Sequence, residues 1–558
     1  MKNKAVLYIA LSICFFGLHH VGTKAQDSEN RKAGIVLFTD RTLYITGEQI
    51  LFAAFGRSDQ NPEDRVLLVE IITPDGIKIT GGKYRYAQGN SKGCITIPRD
   101  VITGNYYIRA YTNFLRNHGP SAYGYVPLKL INPSRADVLT ANGIPGNREV
   151  VSMLTMMRGS ESFRFIGART QYGVREQASL KIQFANGSDM PVEMCITVAA
   201  EGATVPYDPD RILIRHGDKP AGGINHAGNI GLSLSGTLFD NSLSRPVQNG
   251  VVTLSVMGDK NFSAFETGTD GRFYFTLPDY AGNRDIFLSS KTNAENVSLL
   301  IDNDFCTIPV KLPNPAFSLS EAESEMVYKL AVNSLVSAQY LPVQTEHEAE
   351  NAQHEGRPFY GKAMETLIMD NYVQLPTLQE YFNELPLEVK VRERKEGKYF
   401  RFISQDAAMI MYDPLVLVDW VVISDMEKVL SLAPQKVDRI EIVNKPYVKG
   451  NLTYSGIISI LSEQGDFAGI DLPGSGLFLR YDFFSPECGP NQSLPEEPNF
   501  PDTRNTVLWI PDSRPDTSGT CTISFVTPDT PGMYEIWVRG ILPDGRIAGQ
   551  SVRFEVSH

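Results

Sequence analysis

Apolar residues fall on every second position through much of this chain, in short runs separated by turn residues, a period that belongs to strands buried on one face. Between residues 34 and 133 such runs occupy 34–38, 49–55, 66–72, 94–97, 106–111 and 123–131, broken by turns such as Pro74-Asp75-Gly76. They predict an antiparallel sandwich. A second sandwich is expected over 150–220, where Ala178-Ser179-Leu180-Lys181-Ile182-Gln183-Phe184 alternates, Asn186-Gly187 offers a turn, and Val192, Met194, Ile196 and Val198 share a face. A third is expected over 231–312, from the runs 234–240, 251–256 and 272–275. The period then changes. Within 313–357, Ser320 is a candidate N-cap, with Glu321, Glu323 and Glu325 after it and apolar residues at helical spacing through 318–337; an acidic loop follows at 347–355. Residues 358–473 return to strands, in Pro414-Leu415-Val416-Leu417-Val418-Asp419, Val437-Asp438-Arg439-Ile440-Glu441-Ile442-Val443 and Ile457-Ile458-Ser459-Ile460-Leu461. The last segment, 474–558, begins with Pro486, Pro490, Pro495, Pro498 and Pro501, an extended tether, and ends in four strands. Four are few for a sandwich, so 476–484 is expected to be borrowed as a fifth. The fold class is mostly β, with tandem antiparallel sandwiches and a smaller α+β domain.

Lys2 and Lys4, the apolar run 5–18 and Thr23-Lys24-Ala25 read as a secretory leader cut after residue 25. Leu11-Ser12-Ile13-Cys14 has the outline of a lipoprotein site, but Ile13 is bulky beside the cysteine and the apolar run continues past it. No later run approaches the length needed to span a bilayer. The expected location is therefore exported, periplasmic or outer-membrane associated. The formal charge of −12 grows more negative once the leader's lysines are removed, which disfavours nucleic acid as a partner. Five cysteines remain in the mature chain, an odd number without metal-like spacing, which argues against a disulfide framework. Cys94 and Cys195 lie in strand-like runs and read as small core residues; Cys488 with Cys521 is the pair to test.

Three resemblances refine this. Thr39-Asp40-Arg41-x-x-Tyr44-x-x-Gly47-Glu48-x-Ile50, with the later Gly104-Asn105-Tyr106-Tyr107, resembles a macroglobulin-type domain of α2-macroglobulin-like proteins. For these residues a structural role is expected: a turn at Gly47, an inter-sheet plug at Tyr44, and pairing of Arg41 with Asp40 or Glu48. Thr506-Val507-Leu508-Trp509-Ile510-Pro511 is similar to another macroglobulin-type pattern, with Val507 where that pattern has Leu. Leu234 to Asp240, Pro246-Val247 and Asp270-Gly271-Arg272-Phe273-Tyr274-Phe275 resemble the carboxypeptidase-regulatory-like sandwich. The strands of 414–461 resemble the plug domain of TonB-dependent outer-membrane receptors, which has Gly where Trp420 follows Asp419, so the tight turn expected there is in question. A receptor would continue into a barrel, whereas about ninety residues follow here. The expectation is a plug-like domain without its barrel.

Catalytic constellations are thin. His347-Glu348-Ala349-Glu350 has zinc-ligand spacing, but a catalytic zinc needs a third ligand on a rigid scaffold, and His354 and His558 are poor candidates. Gly89-Asn90-Ser91-Lys92-Gly93 fits a nucleophile-elbow pattern, yet lies between two strands and not between strand and helix. Cys488-Gly489-Pro490-Asn491-Gln492 is one residue longer than a macroglobulin thioester and carries Pro at its centre. No catalytic, cofactor-binding or metal residue is expected, and no cofactor. The expected function is non-catalytic interaction, with the plug-like domain docking to an envelope partner such as an outer-membrane barrel or TonB-system component, for which an exposed sheet edge could accept a strand. A macroglobulin-like protein that binds proteases non-covalently, or a cryptic hydrolase, are the alternatives.

Overall fold

Strands in this protein find partners both nearby and across several hundred residues. The computed structural model describes residues 34–57, 64–140, 163–184, 191–205, 207, 212, 214–216, 231–292, 296–340, 357–385, 388–395, 397–403, 409, 411–472, 476–486, 488, 500–543 and 545–558. The protein is mostly β. The leader, the lipoprotein-like site, the Asn186-Gly187 turn and the segment around His347 and His354 lie outside the described residues.

The first sandwich packs a three-stranded sheet, Ile35–Thr39, Gln49–Gly56 and Asn90–Thr96, on a five-stranded one. That second sheet runs Leu43–Ile45, Gly124–Ile131, Gly104–Thr112, Val66–Ile72 and Lys78–Arg85. Val66–Ile72, held between Gly104–Thr112 and Lys78–Arg85, is buried along its whole length.

The next sandwich is discontinuous in sequence. Its five-stranded sheet orders Gln171–Gly173, Ile547–Ser557, Gly532–Ile541, Glu193–Ala200 and Thr506–Ser513, and its three-stranded sheet orders Thr520–Val526, Gln177–Phe184 and Phe163–Ile166. The segments expected as separate domains, 150–220 and 474–558, thus build one core, in which Ile182 and Val198 pack with Ile523 and Val538. The physical reason is that each segment alternates correctly but neither has enough strands to cover its own apolar face. Val192 stands outside the shared face, half exposed, while Met194, Ile196 and Val198 are fully buried.

The borrowed strand also goes elsewhere. Leu477–Asp482 joins the third sandwich, as the edge of a sheet with Asn283–Lys291, Val251–Val256 and Phe262–Glu266. Gly476 makes this docking possible: a Cβ there would lie 2.2 Å from the Leu288 carbonyl oxygen and 2.8 Å from the Phe287 ring. Gly476→Ala is expected to cost roughly 1–3 kcal/mol through overpacking, read as faster amide exchange of 477–482.

A helix, Glu321–Tyr340, bridges the first two sandwiches by inserting Met326 and Leu330 among Leu43, Ile45 and Ile131 of one and Ala199 of the other. It opens with the predicted cap. Ser320 Oγ accepts from the Glu323 N–H at 3.2 Å, Glu323 Oε2 accepts from the Ser320 N–H at 2.7 Å, and Lys129 Nζ meets Glu323 Oε1 at 2.6 Å. Burial alone would raise the Glu323 carboxyl, but Lys129 and the Ser320 N–H outweigh it and hold it below its ordinary 4.5. A carboxyl lowered in the folded state stabilises above its unfolded pKa, and that stabilisation is lost as pH falls through the folded value. Glu323→Gln is therefore expected to flatten the decline of Tm below about pH 4.5, in acid titration against the unsubstituted chain.

The fourth unit is a mixed five-stranded sheet, Glu365–Ile368, Val437–Val443, Ile457–Ser462, Leu415–Val418 and Val421–Val422, with helices Leu378–Glu384 and Met426–Leu430. Tyr381, Phe382 and Val429 bury their side chains in its core with Val418, Ile440 and Ile460.

Candidate functional site

Asp419 and Trp420 are the two residues between Leu415–Val418 and Val421–Val422, which pair antiparallel as Val418↔Val421 and Leu417↔Val422. A two-residue connection of this kind wants both residues left-handed. Asp419 has φ 45° and Trp420 φ 71°. The tight turn that Trp420 put in question is therefore made, with tryptophan standing in glycine's conformation. For a bulky L-residue this costs roughly 1–2 kcal/mol. Asp419 offsets it. Its carboxylate accepts from the Ser462 N–H at 2.7 Å, the Ser462 hydroxyl at 2.6 Å and the Phe467 N–H at 2.8 Å, and its own N–H donates to the Ile460 carbonyl at 2.9 Å.

The turn delivers the indole to a seam of rings. Trp420 stacks on Tyr360 with centroids 5.8 Å apart and planes at 25°. Tyr360 meets Phe359 edge-on at 5.1 Å, and Phe359 in turn lies 5.2 Å from both Phe262 and Tyr447. Tyr454 closes the row, 6.4 Å from Phe262 and from Tyr447. Two cations flank it, Lys260 Nζ at 5.9 Å from the indole centroid and Lys449 Nζ at 5.2 Å from the Phe262 centroid. Phe262 is buried; the other five rings are half-buried. Burial raises the Tyr447 hydroxyl, pushes that of Tyr454 up to about 12 and lowers the Lys449 ammonium. The Tyr360 hydroxyl donates to Glu441 Oε2 at 2.7 Å, which fixes its ring. The Tyr454 hydroxyl is buried with no hydrogen-bond partner among the described residues. Half-buried rings with flanking ammonium groups can take the flat face of an apolar or aromatic group and pair with its anionic neighbours.

The sheet behind the seam has two different edges. Val421–Val422 is closed against the third sandwich, where Ser289 Oγ donates to the Val422 carbonyl at 3.2 Å. Glu365–Ile368 is the outer strand on the other side, with Ile368 43 % exposed. It is the edge that strand addition would use.

The remaining constellations have structural environments. Ser91 is buried in Asn90–Thr96, after a turn at Gln88 and Gly89 with φ 53° and 81°, so strand leads to strand. Arg41 pairs with both expected carboxylates, Glu48 at 2.9 Å and Asp40 at 3.4 Å, and the Tyr44 hydroxyl donates to Asp40 Oδ1 at 2.7 Å. His558 is an exposed chain end. Of the thioester-like run only Cys488 is described; its thiol meets Cys94 and not Cys521, which lies 3.1 Å from Ser513 Oγ. A cavity of about 50 Å³ between the first and third sandwiches is lined by Lys83, Arg116, Asp304 and Tyr481. Lys83 is spent there on Asp304 at 2.5 Å and the Asp482 carbonyl at 2.7 Å, and the space is far below that of an organic ligand site.

No family model matches the chain, and no curated relative does. Among solved structures it is similar to trypsin-activated alpha-2-macroglobulin from Escherichia coli, at 10% identity and a TM-score of 0.23, over 96% of this chain and 42% of that one. The elastase-activated Escherichia coli protein is similar at 9% identity and a TM-score of 0.21, over 94% and 43%. A mutant Salmonella alpha-2-macroglobulin is similar at 8% identity and a TM-score of 0.23, over 95% and 40%. The chain thus spans less than half the length of these proteins. Likeness of this degree shows no family, and the three resemblances rest on their motifs.

The seam escaped sequence reading because its rings come from four separate segments. Trp420 alone gave a sign, as a bulky residue where a turn wants glycine. No helix among the described residues is long and apolar enough to cross a membrane.

Proposed function

We propose that this chain is an exported, non-catalytic interaction protein that docks to an envelope partner through the Trp420 seam and the sheet behind it. The observation that carries this reading is the cost accepted at Trp420: a left-handed tryptophan, fixed by the Asp419 bonds, whose ring is only half-buried. Strain of this kind, retained where glycine would remove it, is associated with functional surfaces. The plug-like motifs of 414–461 favour an outer-membrane barrel or TonB-system component as the partner.

The test is capture of the full mature chain from crosslinked native envelopes, beside Trp420→Gly. Recovery of such a component, reduced tenfold or more by Trp420→Gly, supports the reading. Equal recovery with both chains removes the seam from it. Recovery of proteases alone, unaffected by the substitution, favours the macroglobulin-like alternative.

A further inference from the structure

Cys94 and Cys488 stand far apart in sequence and together in space. Cys94 lies in Asn90–Thr96, opposite Leu51 of the neighbouring strand. The chain returns to this place after leaving the third sandwich. Phe484 bridges in parallel to Lys83, and the Ser485 N–H donates to the Lys83 carbonyl at 2.7 Å. Three residues on, Cys488 packs against the same apolar cluster as Cys94, formed by Val36, Phe38, Leu51 and Trp509 among others. Tyr84, next to Lys83, spans the gap between the strands and donates its hydroxyl to the Cys94 carbonyl at 2.5 Å. The Cys488 thiol is close enough to perturb that of Cys94, and both are free thiols in this structure. That cluster joins the first sandwich to the discontinuous one, so the pair sits where the two meet.

We propose that Cys94 and Cys488 are joined by a disulfide in the exported protein. The inference rests on the exported part of the reading above, because a reducing compartment would keep both thiols free. The two thiols give up two protons and two electrons. The acceptor is a disulfide, that of a thiol–disulfide oxidoreductase or of oxidised glutathione, which is reduced to two thiols. The route is a mixed disulfide: a thiolate of the pair attacks one sulfur of the acceptor, and the second thiolate then displaces it. The neighbouring Cys488 thiol, with burial, holds the Cys94 thiol well above its ordinary value, so thiolate is scarce and uncatalysed closure is slow. Once formed, the bond ties the end of the third sandwich to the first and closes a very long loop, which restricts the unfolded chain.

The experiment traps free thiols with N-ethylmaleimide in the full chain, taken both from envelope fractions and, after purification, from an oxidised glutathione buffer to which a thiol–disulfide oxidoreductase is added as catalyst. Peptide mass spectrometry then reads the linkage. The expected result in both samples is a Cys94–Cys488 crosslinked peptide, lighter by two hydrogens than the two free peptides together, with Cys195, Cys306 and Cys521 alkylated. Cys521→Ser leaves it unchanged; Cys94→Ser abolishes it. Alkylated Cys94 and Cys488 in the purified, oxidised chain would overturn the geometric basis. A bond that closes after purification but is open in cells would overturn the native disulfide; if that chain is also found in the cytoplasm, the failure belongs to the exported reading.

Discussion

Arg41→Ala is expected to destabilise the protein by roughly 3–5 kcal/mol, the range for breaking one side of a buried ion pair. The guanidinium is 3 % exposed and touches Glu48, Asp40, the Thr506 hydroxyl at 2.9 Å and the Leu43 carbonyl at 3.3 Å. Without it two carboxylates face each other in a site with little water. Asp40 keeps Tyr44, the Leu51 N–H at 3.0 Å and the Thr506 hydroxyl, and Glu48 keeps, among the described residues, the Asn505 amide at 2.6 Å and the Ile45 N–H at 2.8 Å. Arg41→Lys is expected to recover little, since one ammonium cannot reach the partners that a planar fork reaches. Urea unfolding, followed with amide exchange of both 35–56 and 506–513, measures the effect. Both segments should lose protection, because Thr506 and Asn505 come from the discontinuous sandwich. A loss below about 1 kcal/mol would mean that the cluster is hydrated. Lys92→Ala provides the contrast: its pair with Asp512 is exposed on both sides, and its removal should be nearly neutral.

This cluster also marks how far the sequence could be read. Asp40, Arg41 and Glu48 lie within one short turn-and-strand motif, and pairing of Arg41 with one of the carboxylates was expected; the bond from the Tyr44 hydroxyl to Asp40 was not. Thr506 and Asn505 were not, since nothing in the spacing of Asp40 and Arg41 points to a strand more than four hundred residues later. The same limit applies to whole sheets. Alternation at 177–184 and 193–200 showed which residues face inward, but alternation is equally satisfied by any partner strand of matching polarity. Hence Gly532–Ile541 pairs with Glu193–Ala200, and Leu477–Asp482 passed to another sandwich. Local signals held up better. The N-cap at Ser320 was visible because the cap and the acidic turn it opens are adjacent in sequence, although which glutamate would bond back to Ser320 was not. The seam combines the two cases: Trp420 broke a local rule in plain view, whereas its ring partners required the tertiary fold.

Asp419→Ala is expected to cost roughly 2–4 kcal/mol, whereas Trp420→Gly, one residue away, should change stability by no more than about 1 kcal/mol. The asymmetry follows from what each residue does. Asp419 satisfies two backbone N–H groups and a hydroxyl that no alanine could reach, and leaving such donors unmet costs about 1–3 kcal/mol each, less whatever water recovers. Trp420 contributes ring contacts of about 0.5–1.5 kcal/mol, and glycine in its place relieves left-handed strain of similar size. The two terms nearly cancel. Differential scanning calorimetry of the two variants, read at the transition reported by exchange of 415–462, tests this directly. If Trp420→Gly proves as damaging as Asp419→Ala, the indole is a core residue and the strained turn serves packing alone. If stability is kept while envelope capture is lost, the protein retains tryptophan there for contact with something outside itself, since glycine would serve the turn as well.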